Sequence, residues 1–261
     1  MKQVVILMYH SLYSNALELG AIDAADRPYA ISTREFETQL LLLQQHGVTV
    51  LDPAELENGC VERGGVILTF DDGHASNAKF ALPLLMQYRM KATFFVTTGF
   101  VGQRAGYCTW SQVRELADNG MRIGGHGHTH QFLSDAPEQD LQAELQISNA
   151  RLREALKMPV AQMSFPGGRF DARTISLARA AGFSVLHGSE VGTFAAQIAI
   201  PGGPLPRIAI RPSMRPHVFM DYAQGKAACI VRAQVASKLK GVAKRLIGNY
   251  TYHQLYAWLR G

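Results

Sequence analysis

Short apolar runs alternate with segments of helical spacing along most of the chain. Such runs, bounded by turn residues, predict strands. They cover residues 4–9, 49–51, 66–70, 92–97, 121–124, 163–165, 183–186 and 207–210. Because strands and helices alternate, the pattern predicts an α/β fold with a parallel sheet wrapped by helices, and about eight strands are enough to close a barrel.

Capping signals mark where several helices begin and end. Ser32 with Glu35, and Thr109 with Gln112, have the spacing of a capping box, and Gly120 is expected to end the second of these helices. Further helices are predicted to start at Asp52-Pro53, to lie between residues 70 and 92, and to cover 135–156 and 171–181. Residues 192–206, rich in glycine and proline, predict a loop.

The chain has 261 residues, a length suited to one α/β barrel. We expect a single barrel domain over residues 1–225 and a basic helical extension over 226–261. In the extension, basic residues are set against apolar ones such as Val235 and Leu239; they are Lys238, Lys240, Lys244 and Arg245. A helix that covers the domain with one solvated face is the favoured interpretation, and peripheral contact with an anionic membrane is the alternative.

The composition limits the expected cellular location and the expected classes of partner. The net charge is +5, but basic and aromatic residues form no interleaved stripe, so we expect no nucleic-acid partner. Cys60, Cys108 and Cys229 stand far apart, which argues against a disulfide framework and suits a reducing compartment. The sequence has no signal-peptide pattern and no long apolar window, so the expected location is the cytoplasm. Peripheral association with the inner membrane is the alternative.

Two adjacent carboxylates follow the predicted strand 66–70, in the segment Thr69-Phe70-Asp71-Asp72-Gly73. Neighbours on a strand point to opposite faces, so Asp71 and Asp72 can divide the work of binding a metal and holding a water. Active sites of barrels lie at this end of the strands. An ordinary solvated turn is the alternative for this motif alone.

Alternating histidines follow the predicted strand 121–124, in the segment Gly124-Gly125-His126-Gly127-His128-Thr129-His130. His126 and His130 are four residues apart, so one helical turn would place them on one side, with His128 pointing away. Neutral imidazoles at this spacing suit a divalent metal such as zinc. A polar surface loop or an adventitious metal site is the alternative.

Asp72, His126 and His130 together make a set of two imidazoles and one carboxylate that leaves positions open for water and substrate. We expect zinc, with cobalt, nickel, manganese or iron as alternatives. Such a metal would activate water and polarise a carbonyl, and the adjacent Asp71 is the candidate base. His10, at the end of the first strand, is the candidate acid, although a buried core histidine is the alternative.

A Pro-Gly-Gly loop follows the predicted strand 163–165. Backbone N–H groups of Gly167 and Gly168 could hold an oxyanion there. A tight turn between strand and helix is the favoured interpretation of this segment taken alone.

These motifs, in this order, resemble the polysaccharide deacetylase family (carbohydrate esterase family four) over roughly residues 4–210. The resemblance implies that Asp71 is the base and that Asp72, His126 and His130 bind the metal. It also implies a distorted (β/α) barrel of about seven or eight strands and a hydrolase of carbon–nitrogen bonds. The expected substrate is an N-acetylated glycan or lipid-linked saccharide, as in exopolysaccharide synthesis.

The chain departs from that family in two places. Its third motif has Ser164-Phe165-Pro166-Gly167 where the family often has Arg-x-Pro-Tyr, and Arg207 is the candidate replacement for the missing arginine. The family's C-terminal Leu-x-His motif is not evident, and Tyr9-His10 is similar to a subgroup with an N-terminal Tyr-His motif. Tyr107 and Trp110 are weaker candidates for stacking on a sugar, with core packing as the alternative.

Other functions weighed from the residues are less favoured. An amidase or imidase for a small nitrogenous substrate uses similar barrels. An iron oxygenase usually has an all-β fold, and a helical zinc-peptidase motif would have a glutamate where Gly127 stands. A non-catalytic glycan-binding module would not need a carboxylate base beside a metal.

Overall fold

The centre of the computed structural model is a curled parallel sheet. The structure describes residues 2–197, 199 and 202–247, with the side chains of all but 238 and 240–247. The strands are β1 Gln3–Tyr9, β2 Leu12–Tyr13, β3 Ile31–Ser32, β4 Gly65–Phe70, β5 Ala92–Val96, β6 Arg122–Gly125, β7 Gln162–Ser164, β8 Val185–His187, β9 Phe194–Ala195 and β10 Ile208–Ala209.

The main sheet runs in the order β10-β1-β4-β5-β6-β7-β8 with every pair parallel, and β9 adds to β1 in the antiparallel sense. Just before β10, the Leu205 N–H donates to the Leu186 carbonyl of β8 at 2.7 Å. Because β10 itself pairs with β1, this segment joins the two edges and closes the curl. The predicted distorted (β/α) barrel in a single domain is confirmed.

Helices cover the outside of the sheet. They are α1 Ala16–Ala21, α2 Thr33–Gln45, α3 Leu82–Gln87, α4 Trp110–Asp118, α5 Glu138–Leu156, α6 Ala172–Ala180, α7 Pro216–Ala223 and α8 Ala227–Ile247. Short 3-10 helices cover Arg27–Tyr29, Pro53–Asn58, Leu133–Asp135 and Pro166–Gly168, and a π-helix covers Asn77–Ala81. Both predicted capping boxes form, at the starts of α2 and α4.

Several boundaries differ from those predicted. The helix expected from residue 135 begins at Glu138, because a separate 3-10 turn ends at Asp135 and Pro137 is the N-cap. The strand expected at 49–51 is one bridge, Val50 to Val66. The loop expected at 192–206 contains β9, and α7 was not predicted. Two-residue strands such as β2, β3 and β9 are too short to carry a period in sequence.

The alternation along β1 decides which side chains face the site. Val5 and Leu7 belong to the large cluster under the helices, whereas Val4 and Ile6 belong to a smaller cluster inside the barrel. Side chains two residues apart share a face of a strand. Continuing that period past the strand end places His10 on the interior face, where it lines a cavity at the carboxyl ends of the strands.

The last described helix, α8, packs on the barrel at its start. Ile230 is 6% exposed and belongs to the large cluster, and the Gln234 side-chain amide donates to the Val191 carbonyl at 2.9 Å. Within the described residues, no helix is both long and apolar enough to span a bilayer. The basic side chains expected on this helix, Lys238, Lys240, Lys244 and Arg245, lie outside the described ones. The division of the chain at residue 225 stays a prediction.

Candidate active site

Asp72, His126 and His130 converge at the carboxyl ends of β4 and β6. The Nε2 atoms of both imidazoles lie 3.2 Å from Asp72 Oδ1. One ligand atom from each of the three residues lies within 4.8 Å of the others, a spacing that one metal ion can bridge. Burial by itself would raise the pKa of Asp72, but the neighbouring imidazoles of His126 and His130 hold that pKa well below its usual value.

Two of these residues have unusual backbone conformations. Asp72 has φ 75° and His130 has φ 65°, both in the left-handed region that side chains other than glycine rarely adopt. The expected helical turn from His126 to His130 is wrong, because this segment is a loop that leaves β6 and turns back. Such strain costs about 1–3 kcal/mol per residue and is concentrated at functional sites.

A hydrogen bond determines which ring nitrogen of His126 carries the proton. Its Nδ1 lies 2.8 Å from the Ser164 carbonyl oxygen, which only accepts hydrogen bonds, so Nδ1 carries the proton. In the neutral ring, Nε2 then presents a lone pair toward the Asp72 carboxylate, which is also an acceptor. Two facing acceptors require a cation between them or a further proton. This tautomer is the one that binds divalent metals, and the donor set suits zinc.

Glu144 of α5 holds the histidine loop in place, and sequence reasoning missed it. It is 5% exposed, and its carboxylate accepts hydrogen bonds from the His128 N–H at 2.7 Å and from the Thr129 N–H and hydroxyl at 2.9 and 2.7 Å. Gly127 between the ligands has φ 73°, and a Cβ there would lie 3.2 Å from Glu144 Oε2. The loop therefore needs both the glycine and the buried carboxylate.

Asp71 points into the barrel from the end of β4, where a buried arginine holds it. Arg207 donates to both carboxylate oxygens at 2.7 Å, and the Ser164 hydroxyl donates to Oδ2 at 3.2 Å. Burial by itself would raise the pKa of Asp71, but the nearby Arg207 and His126 lower it to about 2. The sequence suggested Arg207 as the replacement for the family's missing arginine. In the structure, Arg207 contacts Asp71, the candidate base. Ser164 was not singled out for this role.

His10 lines the same cavity from the end of β1. Its ring packs on Tyr29 with centroids 4.6 Å apart, and its buried Nδ1 has no hydrogen-bond partner among the described residues. Burial lowers the pKa of His10, against the opposing effect of the Asp72 and Asp71 carboxylates. A group with a lowered pKa releases a proton readily once it is protonated.

Asp26 is a further cavity residue that sequence reasoning missed. The Tyr107 hydroxyl donates to its carboxylate at 3.2 Å. Burial, followed by the charge of Asp72, raises the pKa of Asp26. Asp26 stands in a loop before a 3-10 helix, without a motif around it, so only the tertiary structure brings it to the site.

The remaining predicted site residues differ in whether they line the cavity. Gly167 lines the cavity, whereas the Gly168 N–H already donates to the Phe165 carbonyl at 2.8 Å, which leaves Gly167 as the candidate oxyanion donor of the two. Trp110 packs against the large hydrophobic cluster, and Tyr107 reaches the cavity only through Asp26. His128 turns away from the metal ligands, and its Nδ1 lies 3.0 Å from the Thr98 hydroxyl.

The fold and this site define a barrel hydrolase with a candidate metal-binding triad, and comparison with known proteins gives the family. The family model for polysaccharide deacetylase matches residues 58–186. YxkH of Bacillus subtilis is 28% identical over 225 residues, which cover 84% of this chain and 75% of YxkH. The chain therefore belongs to the polysaccharide deacetylase family, whose members are hydrolases of carbon–nitrogen bonds.

Solved structures show the same similarity across most of the chain. The deacetylase PplD of Streptococcus pyogenes, in complex with acetate, is 26% identical with a TM-score of 0.73, covering 85% of this chain and 98% of PplD. IcaB from Ammonifex degensii is 28% identical with a TM-score of 0.70, covering 86% of this chain and 98% of IcaB.

Proposed function

We propose that this protein removes the acetyl group from the nitrogen of an N-acetylated amino sugar in a glycan or lipid-linked saccharide, in a metal-dependent reaction. The observation that carries the proposal is the pairing of two adjacent carboxylates with different partners. Asp71 is fixed by Arg207, and the neighbouring Asp72 faces two imidazoles. One strand end therefore supplies both a base and a metal ligand.

The residues that would hold the metal are Asp72, His126 and His130, and zinc is the ion that their nitrogen and oxygen atoms suit best. A divalent metal there supplies Lewis-acid chemistry, which makes water nucleophilic near neutral pH and polarises a carbonyl. Three protein ligands leave room in the coordination shell, as catalytic zinc sites require.

The chain's own groups manage the protons. Asp71 accepts a proton from the attacking water, and its bidentate contact with Arg207 keeps the carboxylate ionised and oriented. His10 donates a proton to the nitrogen as the carbon–nitrogen bond breaks, so acetate and a free amine leave. The contact of His10 with Tyr29 fixes the plane of the imidazole during this transfer.

The comparisons support an acetyl substrate. PplD is described as a deacetylase in complex with acetate, the product that the proposed reaction would release. The subgroup with an N-terminal Tyr-His motif, the cytoplasmic location and the membrane contact of the C-terminal helix stay predictions.

The test is acetate release from N-acetylglucosamine oligomers and lipid-linked precursors with added zinc, with Asp71→Asn as the control. We expect release that falls roughly 10²–10⁴-fold in the variant, the usual contribution of a positioned base. Near-normal acetate release by Asp71→Asn would show that Asp71 is not the base. No release from any substrate, with metal confirmed bound, would instead favour a small amide or imide substrate.

A further inference from the structure

The cavity at the active site has a volume of about 590 Å³ and two chemically different sides. The metal side carries Asp71, Asp72, His126 and His130. The apolar side is formed by residues from the loop after β8, from β10, from the segment between β10 and α7, and from α7 and α8. They are Val191, Ile208, Met214, Tyr222, Ala233 and Ala236. None of these six carries a charge, and the hydroxyls there are those of Tyr222 and of Ser189 and Ser237, which line the cavity from the same loop and helix.

The apolar side is held in position by α8. The Gln234 amide donates to the Val191 carbonyl at 2.9 Å, and Ile230 anchors the start of the helix in the core. The helix presents Ala233, Ala236 and Ser237 to the cavity, and these small side chains wall the space without filling it. A volume in this range is usual for ligand sites, and it leaves room for a group attached to the sugar.

A guanidinium lines the same cavity. Arg211 stacks on Tyr29, with Cζ 4.0 Å from the ring centroid, and the Tyr29 ring also packs on the His10 imidazole. Among the residues that the structure describes, no carboxylate lies within salt-bridge distance of Arg211. A guanidinium that is stacked and lacks a carboxylate partner suits a phosphate group on a ligand.

We propose that the substrate is an N-acetylated amino sugar joined through phosphate to an aliphatic chain. The sugar's acetamide lies at the metal side, the phosphate pairs with Arg211, and the first methylene groups pack on the apolar side. This inference rests on the proposed deacetylation. A bare polysaccharide is the poorer match, because its hydroxyl groups would meet uncharged hydrocarbon with few hydrogen-bonding partners.

The first test compares substrates on the unaltered protein loaded with zinc. The probes are the decyl and methyl phosphodiesters of N-acetylglucosamine 1-phosphate, the methyl glycoside of N-acetylglucosamine and its tetramer. We expect kcat/KM for acetate release to be at least about 15-fold higher with the decyl ester than with the methyl ester, the gain from burying two methylene groups. Equal values for the two esters would overturn the inference.

The second test uses matched variants on α8. Ala236→Trp should bring the decyl-to-methyl ratio of kcat/KM to near one, because indole fills the apolar side. Val235→Trp, at the adjacent residue, which is 51% exposed and does not line the cavity, should keep the unaltered ratio. A ratio that survives Ala236→Trp would overturn the assignment of this surface.

Arg211→Gln tests the phosphate. We expect the ratio of kcat/KM between the methyl phosphodiester and the methyl glycoside to fall roughly tenfold or more, the loss expected for a charged hydrogen bond. An unchanged ratio would contradict the phosphate assignment. Acetate released equally from all four probes would reject the inference and leave deacetylation standing, whereas no release from any probe would reject deacetylation itself.

Discussion

The two sides of the cavity are built by opposite means. On the metal side, short loops hold charged groups through many hydrogen bonds, and Asp72 and His130 accept unfavourable backbone angles. On the apolar side, regular helices and a strand present small or apolar side chains, and one hydrogen bond from Gln234 ties α8 to the barrel. Side chains are held most tightly on the side where we propose that bonds form and break. Apolar side chains form the side where we propose that the substrate binds without reacting.

This difference predicts how the two sides respond to change. Charged groups buried on the metal side depend on their partners, so removing one partner leaves a costly unpaired group. The apolar side depends mainly on area and shape, so changes there should act gradually and through the substrate.

The largest effect should come from removing the metal. Treatment with a chelator followed by gel filtration should lower acetate release by about 10³-fold or more, since a metal contributes several kcal/mol to the transition state. Added zinc should restore the activity. Elemental analysis would confirm that the treated protein is free of metal. Full turnover by that protein would contradict the claim that the reaction depends on a metal.

Arg207→Met should be the most destabilising substitution. It leaves the buried Asp71 carboxylate without its partner, so the free energy of unfolding in urea should fall by about 3–5 kcal/mol. The double variant Arg207→Met/Asp71→Asn removes the unpaired charge and should recover most of that loss. A double variant no more stable than the single one would contradict this account of the pair.

Glu144→Gln should weaken metal binding through the histidine loop. Partners of this kind typically contribute roughly 10- to 100-fold in metal affinity, and we expect zinc titration to show a loss in that range. Glu154→Gln is the matched control, because Glu154 lies exposed on the same helix. Equal zinc affinity in the two variants would show that Glu144 does not position the loop.

The smallest effect is expected on the outer surface of α8. Val235→Ser changes a side chain that is 51% exposed, so the free energy of unfolding should shift by no more than about 0.5 kcal/mol. Thermal and urea unfolding would measure it. A loss above about 2 kcal/mol would mean that this surface is buried against something else.

The sequence predicted the parts of the site that are local in the chain. The adjacent Asp71 and Asp72 and the spaced His126 and His130 each follow one strand, and parallel strands bring such ends together. The shape of the histidine loop was not predictable from spacing, because the positive φ angles of Gly127 and His130 replace the expected helical turn.

Contacts between distant residues were harder to predict. Glu144 lies on the buried face of α5 with Leu141 and Leu145, so a carboxylate among apolar positions was a usable signal. Asp26 carries no comparable signal. The apolar side depends on how α8 packs against the β8 loop, which no single segment encodes.

The most direct test measures bound zinc and acetate release together in Asp71→Asn and Asp72→Asn. The two substitutions are chemically identical and lie on adjacent residues. Our account predicts that Asp71→Asn retains one zinc per chain and loses turnover, whereas Asp72→Asn loses both. Loss of zinc in Asp71→Asn, or retention of zinc and activity in Asp72→Asn, would contradict the division of labour between these carboxylates.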